Sequence, residues 1–184
     1  MDFKQIIVVA VALVVLLGIV WMFVRKQRTI NLQKRFGPEY DRAVSEIGSQ
    51  KAESVLLERE KRVQEFSLRE LSAEERESFL TEWRLVQSRF VYDPQATVGD
   101  ADQLVDRLMQ DRGYPMSNFE QRAADISVSH PTVVGNYRAA HQIALRHSQG
   151  QASTEDLRNA LIYYRSLFDE LLQKGTSAHT KEVA

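Results

Sequence analysis

The four histidines are the first side chains to consider for chemistry, because imidazole binds metals and transfers protons near neutral pH. His141 and His147 are six residues apart, which puts them on different faces of a helix, and His179 lies near the end of the chain. Neither an HExxH motif nor a Glu-x-x-His pair occurs in the sequence. We therefore predict no metal site.

An acidic stretch at residues 99–106 invites comparison with a calcium loop. An EF-hand loop needs acids at alternate positions, a central glycine and a terminal glutamate. In this stretch Leu104 and Val105 stand where ligands are required. The pattern instead indicates the acid-rich first turns of a helix, where the helix dipole favours negative charge.

Acid–base chemistry has candidates in Glu120 and Asp125, which lie close in sequence to Tyr114 and His130. Nearness along the chain does not establish the geometry that proton transfer needs. Serine-nucleophile motifs, phosphate-binding glycine loops and dinucleotide fingerprints are absent from the sequence. We therefore predict a protein that is not an enzyme, with no catalytic residues and no cofactor.

Three aromatic or imidazole side chains are candidates for contact with a partner or a small ligand. Tyr137 and His141 are four residues apart and so share a helix face, where they could line a pocket. Tyr163 lies beside an apolar seam rather than on it, so we expect it to be the exposed aromatic. The other aromatic residues of the C-terminal part have the spacing of core residues.

The elements that position these residues begin with an apolar N-terminal segment. After a short tail of residues 1–5, residues 6–24, from Ile6 to Val24, read IIVVAVALVVLLGIVWMFV, without a charge. A helix of this length spans about 28 Å, close to the roughly 30 Å hydrocarbon core of a bilayer, and Trp21 suits the headgroup level. A cleavable signal peptide and a buried core helix are the alternatives. The long apolar run, which lacks a small-residue cleavage site, favours a transmembrane helix.

Basic residues follow the apolar segment directly. Between residues 25 and 35 the chain carries five bases and no acid: Arg25, Lys26, Arg28, Lys34 and Arg35. Bases that flank a span resist translocation and attract anionic lipid headgroups. The sequence thus predicts a single-pass membrane protein, with its N-terminus outside and its C-terminal domain cytoplasmic. The alternative is an exported domain.

Charge and cysteine content exclude other classes of protein. Residues 36–184 contain 18 basic and 24 acidic side chains, whereas a nucleic-acid-binding domain concentrates Lys and Arg. The chain has no cysteine, which excludes disulfides and zinc–thiolate sites. We expect the lipid bilayer and another protein as partners, and neither nucleic acid nor metal.

The remaining residues have helical patterns, and the predicted fold class is all-α. Residues 25–70 are expected to form a basic juxtamembrane segment and a charged amphipathic helix, together a stalk, with a break at Gly48. Residues 71–174 are expected to form a bundle of about five or six helices, and residues 175–184 a disordered tail. Predicted helix starts are the capping boxes at 72–75 and 117–120, Asp93-Pro94, His130-Pro131 and Thr154.

The run LTEWRLVQSRFVYDPQATVGDADQLVDRLMQDRGYP at 80–115, continued by FEQRAADISVSHP and NYRAAH, resembles an uncharacterised bacterial family. Its most specific elements are W-x-x-V-Q-x-x-F-V and R-G-Y-P. The members of that family pair an N-terminal hydrophobic segment with this helical region. The resemblance implies a bacterial origin, and hence the inner membrane as the location of the predicted span. It also implies a helical domain, and it implies no activity.

Two functions agree with these patterns. The first is a non-catalytic, membrane-tethered helical domain that binds another protein. The second is a small-ligand or stress-responsive binding protein, with a pocket between helices near Tyr137 and His141.

Overall fold

The computed structural model describes the backbone of residues 3–173 and the side chains of residues 13 and 15–173. Within these limits the chain is all-helical, as predicted. The eight helices are α1 (Phe3–Phe36), α2 (Pro38–Ile47), α3 (Ser49–Gln64), α4 (Ala73–Arg89), α5 (Pro94–Asp111), α6 (Phe119–Ser129), α7 (Val134–Ser148) and α8 (Thr154–Gln173). The predicted tail at 175–184 lies outside the described residues.

Local capping explains where two of the predicted helices begin. Ser72 accepts a hydrogen bond from the amide of Glu75, and the Glu75 carboxylate accepts one from the amide of Ser72, so the predicted capping box of α4 is confirmed. Asp93 caps α5 through the amide of Ala96, and Pro94 occupies the first turn.

Two other predicted starts, those of α6 and α7, were wrong by a few residues. Asn118, not Ser117, caps α6, because its extended backbone directs its side chain to the amide of Gln121. His130-Pro131 does not start a helix: His130 ends α6, a turn follows, and α7 begins at Val134. The predicted start of α8 at Thr154 is confirmed, and Ser153 and Asp156 exchange the reciprocal bonds of a capping box there.

Helices α4 to α8 form the predicted bundle around a main core. Trp83 of α4 stacks on Phe168 of α8, with ring centroids 4.7 Å apart. The predicted seam of α8 is buried in this core, at Leu157, Leu161, Tyr164, Phe168 and Leu171. The spacing of apolar residues therefore identified the inner face of the last helix correctly.

A second core lies beside the main core, and it changes the interpretation of residues 25–70. It contains Leu32 and Phe36 at the end of α1, Tyr40 and Ala43 of α2, Ala52, Leu56 and Val63 of α3, and Val128 of α6. Gly48 separates α2 from α3, as predicted. The segment is thus not a stalk that projects away from the bundle. It folds back as α2 and α3 and packs on α6 and α7.

The first helix runs without interruption from the apolar segment into the second core. It spans 34 residues, about 51 Å at 1.5 Å per residue. Among the side chains that the structure describes, the first of which is Leu13, no helix has an apolar stretch long enough to cross a membrane. The predicted span at 6–24 includes Ile6, whose side chain lies outside the described part.

Candidate functional site

The described end of the apolar segment of α1 is exposed. Ten large apolar side chains between residues 13 and 24 are each 51–69% exposed: Leu13, Val15, Leu16, Leu17, Ile19, Val20, Trp21, Met22, Phe23 and Val24. They surround the helix rather than form a single stripe. Two turns further on, Leu32 and Phe36 of the same helix are buried in the second core. One rigid element therefore carries both an uncovered apolar surface and part of the folded interior.

The basic residues predicted to flank the span occupy the surface of the same helix. The Arg25 guanidinium lies 5.4 Å from the ring centroid of Trp21, in cation–π geometry. Arg25, Lys26 and Arg28 are all exposed and have no carboxylate partner within the described residues. Arg35 does have one, since it pairs with Glu60 of α3. Arg25, Lys26 and Arg28 therefore lie directly after the apolar surface of α1.

Three arginines hold α2, α3 and α7 together around a single buried carboxylate. The side chain of Glu39, in the first turn of α2, is only 2% exposed. It accepts hydrogen bonds from Arg42 at 3.0 Å, from Arg59 of α3 at 2.8 Å and from Arg138 of α7 at 2.9 Å. Glu39 and these three arginines are the Glu39 hub. The hub joins the α1–α3 segment to the main bundle.

Electrostatics keep Glu39 ionised although it is buried. Burial by itself raises the pKa of this carboxyl, but the hydrogen bond from Arg42 and the charge of Arg138 outweigh it. The pKa of Glu39 therefore lies below its ordinary value. A second pair supports the same junction, because Arg62 of α3 donates at 3.1 Å to the buried Asp125 of α6.

A polar cluster lies inside the main bundle, between α5, α6, α7 and α8. Arg122 approaches Asp106 at 3.3 Å and the Tyr137 hydroxyl at 3.3 Å. One oxygen each of Asp102 and Asp106 is buried, and the buried Tyr164 hydroxyl interacts with Asp102. Burial, together with the neighbouring carboxylates, raises the pKa of Tyr137 and that of Tyr164. Both phenols are therefore neutral at physiological pH.

Burial also raises the pKa of Asp106, where the repulsion of Asp102 adds to the effect and the charge of Arg122 opposes it. The cluster therefore combines a carboxyl with a raised pKa, a guanidinium and two phenols. These are groups that could exchange protons or hydrogen-bond a polar ligand. The two phenols are fully buried, whereas Asp106 and Arg122 are partly exposed.

The candidate contact residues from the sequence have different surroundings. Tyr137 is fully buried, and His141 is half-buried with a pKa lowered by burial. The structure does bring them together, at Phe119, whose ring centroid is 4.9 Å from that of Tyr137 and 3.6 Å from that of His141. The Phe119 ring therefore packs against both side chains. Tyr163 is half-buried against the main core, so its expected exposure was wrong. The exposed aromatic of the bundle is Tyr92, at 90%.

The acid–base candidates are dispersed rather than assembled. Glu120 pairs with Arg138, whereas Asp125 accepts from Arg62 and from Gln121 at 2.8 Å. His130 is buried and lies 3.5 Å from Glu170. Among the described residues no group of three or more His, Asp and Glu side chains could hold a metal ion.

Sequence reasoning missed the Glu39 hub. The only local signal was the spacing of Glu39 and Arg42, three residues apart at the start of a predicted helix. Arg59 and Arg138 are 20 and 99 residues away from Glu39.

Comparisons of the chain with family models, with curated proteins and with solved structures found no match to any of them.

Proposed function

We propose that this chain is a membrane-tethered, non-catalytic helical domain that binds another protein, with residues 6–24 as its single membrane span. The observation that carries the proposal is the exposed apolar surface of α1, which surrounds the helix and ends at unpaired cations. Side chains of this kind are stabilised by lipid, since each would otherwise order water around it.

The way in which α1 joins the domain supports a tether of defined geometry. The helix enters the second core directly, and the Glu39 hub connects that core to the bundle. A membrane protein built in this way holds its domain at a fixed distance from the bilayer. Such positioning suits a domain that binds a partner at the membrane surface. The basic flank favours the cytoplasmic face of a bacterial inner membrane.

The surface that best fits a protein partner is the turn between α4 and α5. Val91 and Tyr92 are 79% and 90% exposed there, and Leu85 of α4 is 56% exposed. Tyrosine is enriched in the centres of protein interfaces, and the two aliphatic side chains add apolar area beside Tyr92.

Two experiments test the proposal. Full-length protein in a bacterial membrane fraction is expected to remain with the membranes after a carbonate wash, and a C-terminal fluorescent reporter is expected to be active in the cytoplasm. Recovery of the intact chain in the wash would refute the tether. Activity of a C-terminal alkaline phosphatase fusion instead would place the domain outside.

Partner binding is tested with a photo-crosslinking amino acid at Tyr92 in intact membranes. We expect one discrete adduct that disappears when Val91→Asp is added. The same crosslinker at Glu77, an exposed residue of the preceding helix α4, is the control. Absence of any adduct at Tyr92, or equal adducts at both positions, would count against this surface.

The rival function, a small-ligand pocket near Tyr137 and His141, stays a prediction without a supporting observation. Phe119 packs on both side chains.

A further inference from the structure

A cleft separates α1 from α3 at the point where the apolar surface of α1 ends. Its volume is about 550 Å³, and its walls include Phe23, Val24, Arg28 and Arg35 of α1, with Leu57 and Glu60 of α3. We call it the α1–α3 cleft. Phe23 and Val24 line the end next to the proposed membrane span, and the charged side chains lie beyond them, together with Leu32 and Leu57. The cleft is thus wholly apolar at the end next to the span and of mixed polarity beyond it.

The α1–α3 cleft has a net positive charge, and one of its two cations has no carboxylate partner among the described residues. The cleft is lined by two arginines, Arg28 and Arg35, and by one carboxylate, Glu60. Glu60 pairs with Arg35. Arg28 has no carboxylate partner among the described residues and is exposed. A guanidinium is well suited to a phosphate group, to which it can donate two parallel hydrogen bonds.

The position of Arg28 matches the level of lipid phosphates if residues 6–24 span the bilayer. Arg28 follows Val24 by four residues, about 6 Å along the helix. The headgroup layer extends about 5–8 Å beyond the hydrocarbon core on each side. A lipid beside α1 would therefore place its phosphate next to Arg28 and its acyl chains against Phe23 and Val24.

We propose that the α1–α3 cleft binds one anionic phospholipid, with its phosphate at Arg28 and its acyl chains along Phe23 and Val24. This proposal rests on the proposed membrane span. Ligand pockets commonly measure about 300–1,000 Å³, so a cleft of about 550 Å³ accommodates a headgroup and its glycerol. A net negative headgroup fits better than a zwitterionic one, because an added amine would face the arginines. The lipid would fill the gap between α1 and α3 and fix the angle between helix and domain.

The test is to extract the full-length chain with mild detergent from vesicles of equal parts phosphatidylcholine and phosphatidylglycerol, and to measure the retained lipids by mass spectrometry. Wild-type protein is expected to retain about one phosphatidylglycerol per chain and little phosphatidylcholine. Arg28→Gln is expected to lower that retention roughly tenfold, the effect of one lost charged hydrogen bond. Arg28→Lys is expected to restore part of it, because the charge remains.

Lys26→Gln is the matched control. It removes the same charge from the same helix, and Lys26 does not line the α1–α3 cleft. Equal losses in Arg28→Gln and Lys26→Gln would overturn the site, as would equal retention of both lipids by the wild type. Displacement of the lipid by millimolar glycerol phosphate would identify a soluble phosphate as the ligand and overturn the lipid. Release of the chain from vesicles by carbonate would overturn the membrane span and the lipid site together, whereas the other outcomes leave the span intact.

Discussion

Glu39→Gln is the most informative single change in this protein, because it removes one charge and almost no volume from the Glu39 hub. Three arginines that now share a carboxylate at 2.8–3.0 Å would face one another. Their side chains are only 33%, 16% and 15% exposed, so water compensates them poorly. Removing one partner of a buried ion pair costs about 3–5 kcal/mol.

The lower end of that range is expected here. Arg42 also pairs with Glu46, and Arg138 with Glu120, so two of the three cations keep a carboxylate. We therefore expect Glu39→Gln to lower the free energy of unfolding by about 3 kcal/mol. In a chain of this size the corresponding fall in melting temperature is roughly 6–12 °C.

The assay is thermal unfolding of the full-length protein in mild detergent, followed by circular dichroism. Glu46→Gln is the control, because it removes another carboxylate from Arg42 but at a site that is 53% exposed. Its cost is expected to stay below about 1 kcal/mol. Hydrogen exchange should rise in α2, α3 and α7 of Glu39→Gln before it rises in α5 or α8.

The pH dependence follows from the lowered pKa of Glu39. A carboxyl whose pKa is lower in the folded than in the unfolded state stabilises the fold above the unfolded value, and this contribution is lost as the pH falls through the folded value. The difference between wild type and Glu39→Gln should thus be complete above about pH 4.5 and shrink below it. Equal costs for Glu39→Gln and Glu46→Gln at pH 7 would refute the buried hub.

Three further predictions concern the main bundle. Trp83→Ala should cost about 3–5 kcal/mol, measured by thermal unfolding, because it removes a fully buried ring stacked at 4.7 Å on its neighbour in α8. Gly113→Ala should cost more than Gly150→Ala. Both glycines have positive φ, but a Cβ at Gly113 would lie 2.5 Å from a backbone oxygen, whereas Gly150 has open space around it. The hydrogen bonds that Glu75 accepts lower its pKa to about 2. An NMR pH titration of the Glu75 carboxylate should therefore give a midpoint near pH 2. The contribution of Glu75 to stability should be present above about pH 4.5 and should be lost as the pH falls toward 2.

Some features of the fold were readable from the sequence because their causes are local. The capping box at Ser72 and the Asp93-Pro94 start depend on side chains that bond amides three residues away. The seam of α8 depends on apolar spacing alone. Even local signals become ambiguous where two residues can cap the same helix, as Ser117 and Asn118 show.

Other features depended on contacts that no local pattern contains. Residues 25–70 have the interleaved charges of a solvated helix, yet several of those charges turn inward. Glu39 is buried only because Arg59 and Arg138 approach it from α3 and α7. Likewise Arg62 meets the buried Asp125 across 63 residues of sequence.

The sequence by itself determined that the chain is helical, where most of its helices begin, and which face of the last helix is buried. Hydrogen bonds within a turn and the 3.6-residue period are properties of neighbours along the chain. Only the tertiary structure decided that α2 and α3 fold back onto the bundle and that a glutamate joins them to α7. The free energy of a buried charge depends on which cations reach it and how much water is excluded, and both are settled by the packing of distant segments.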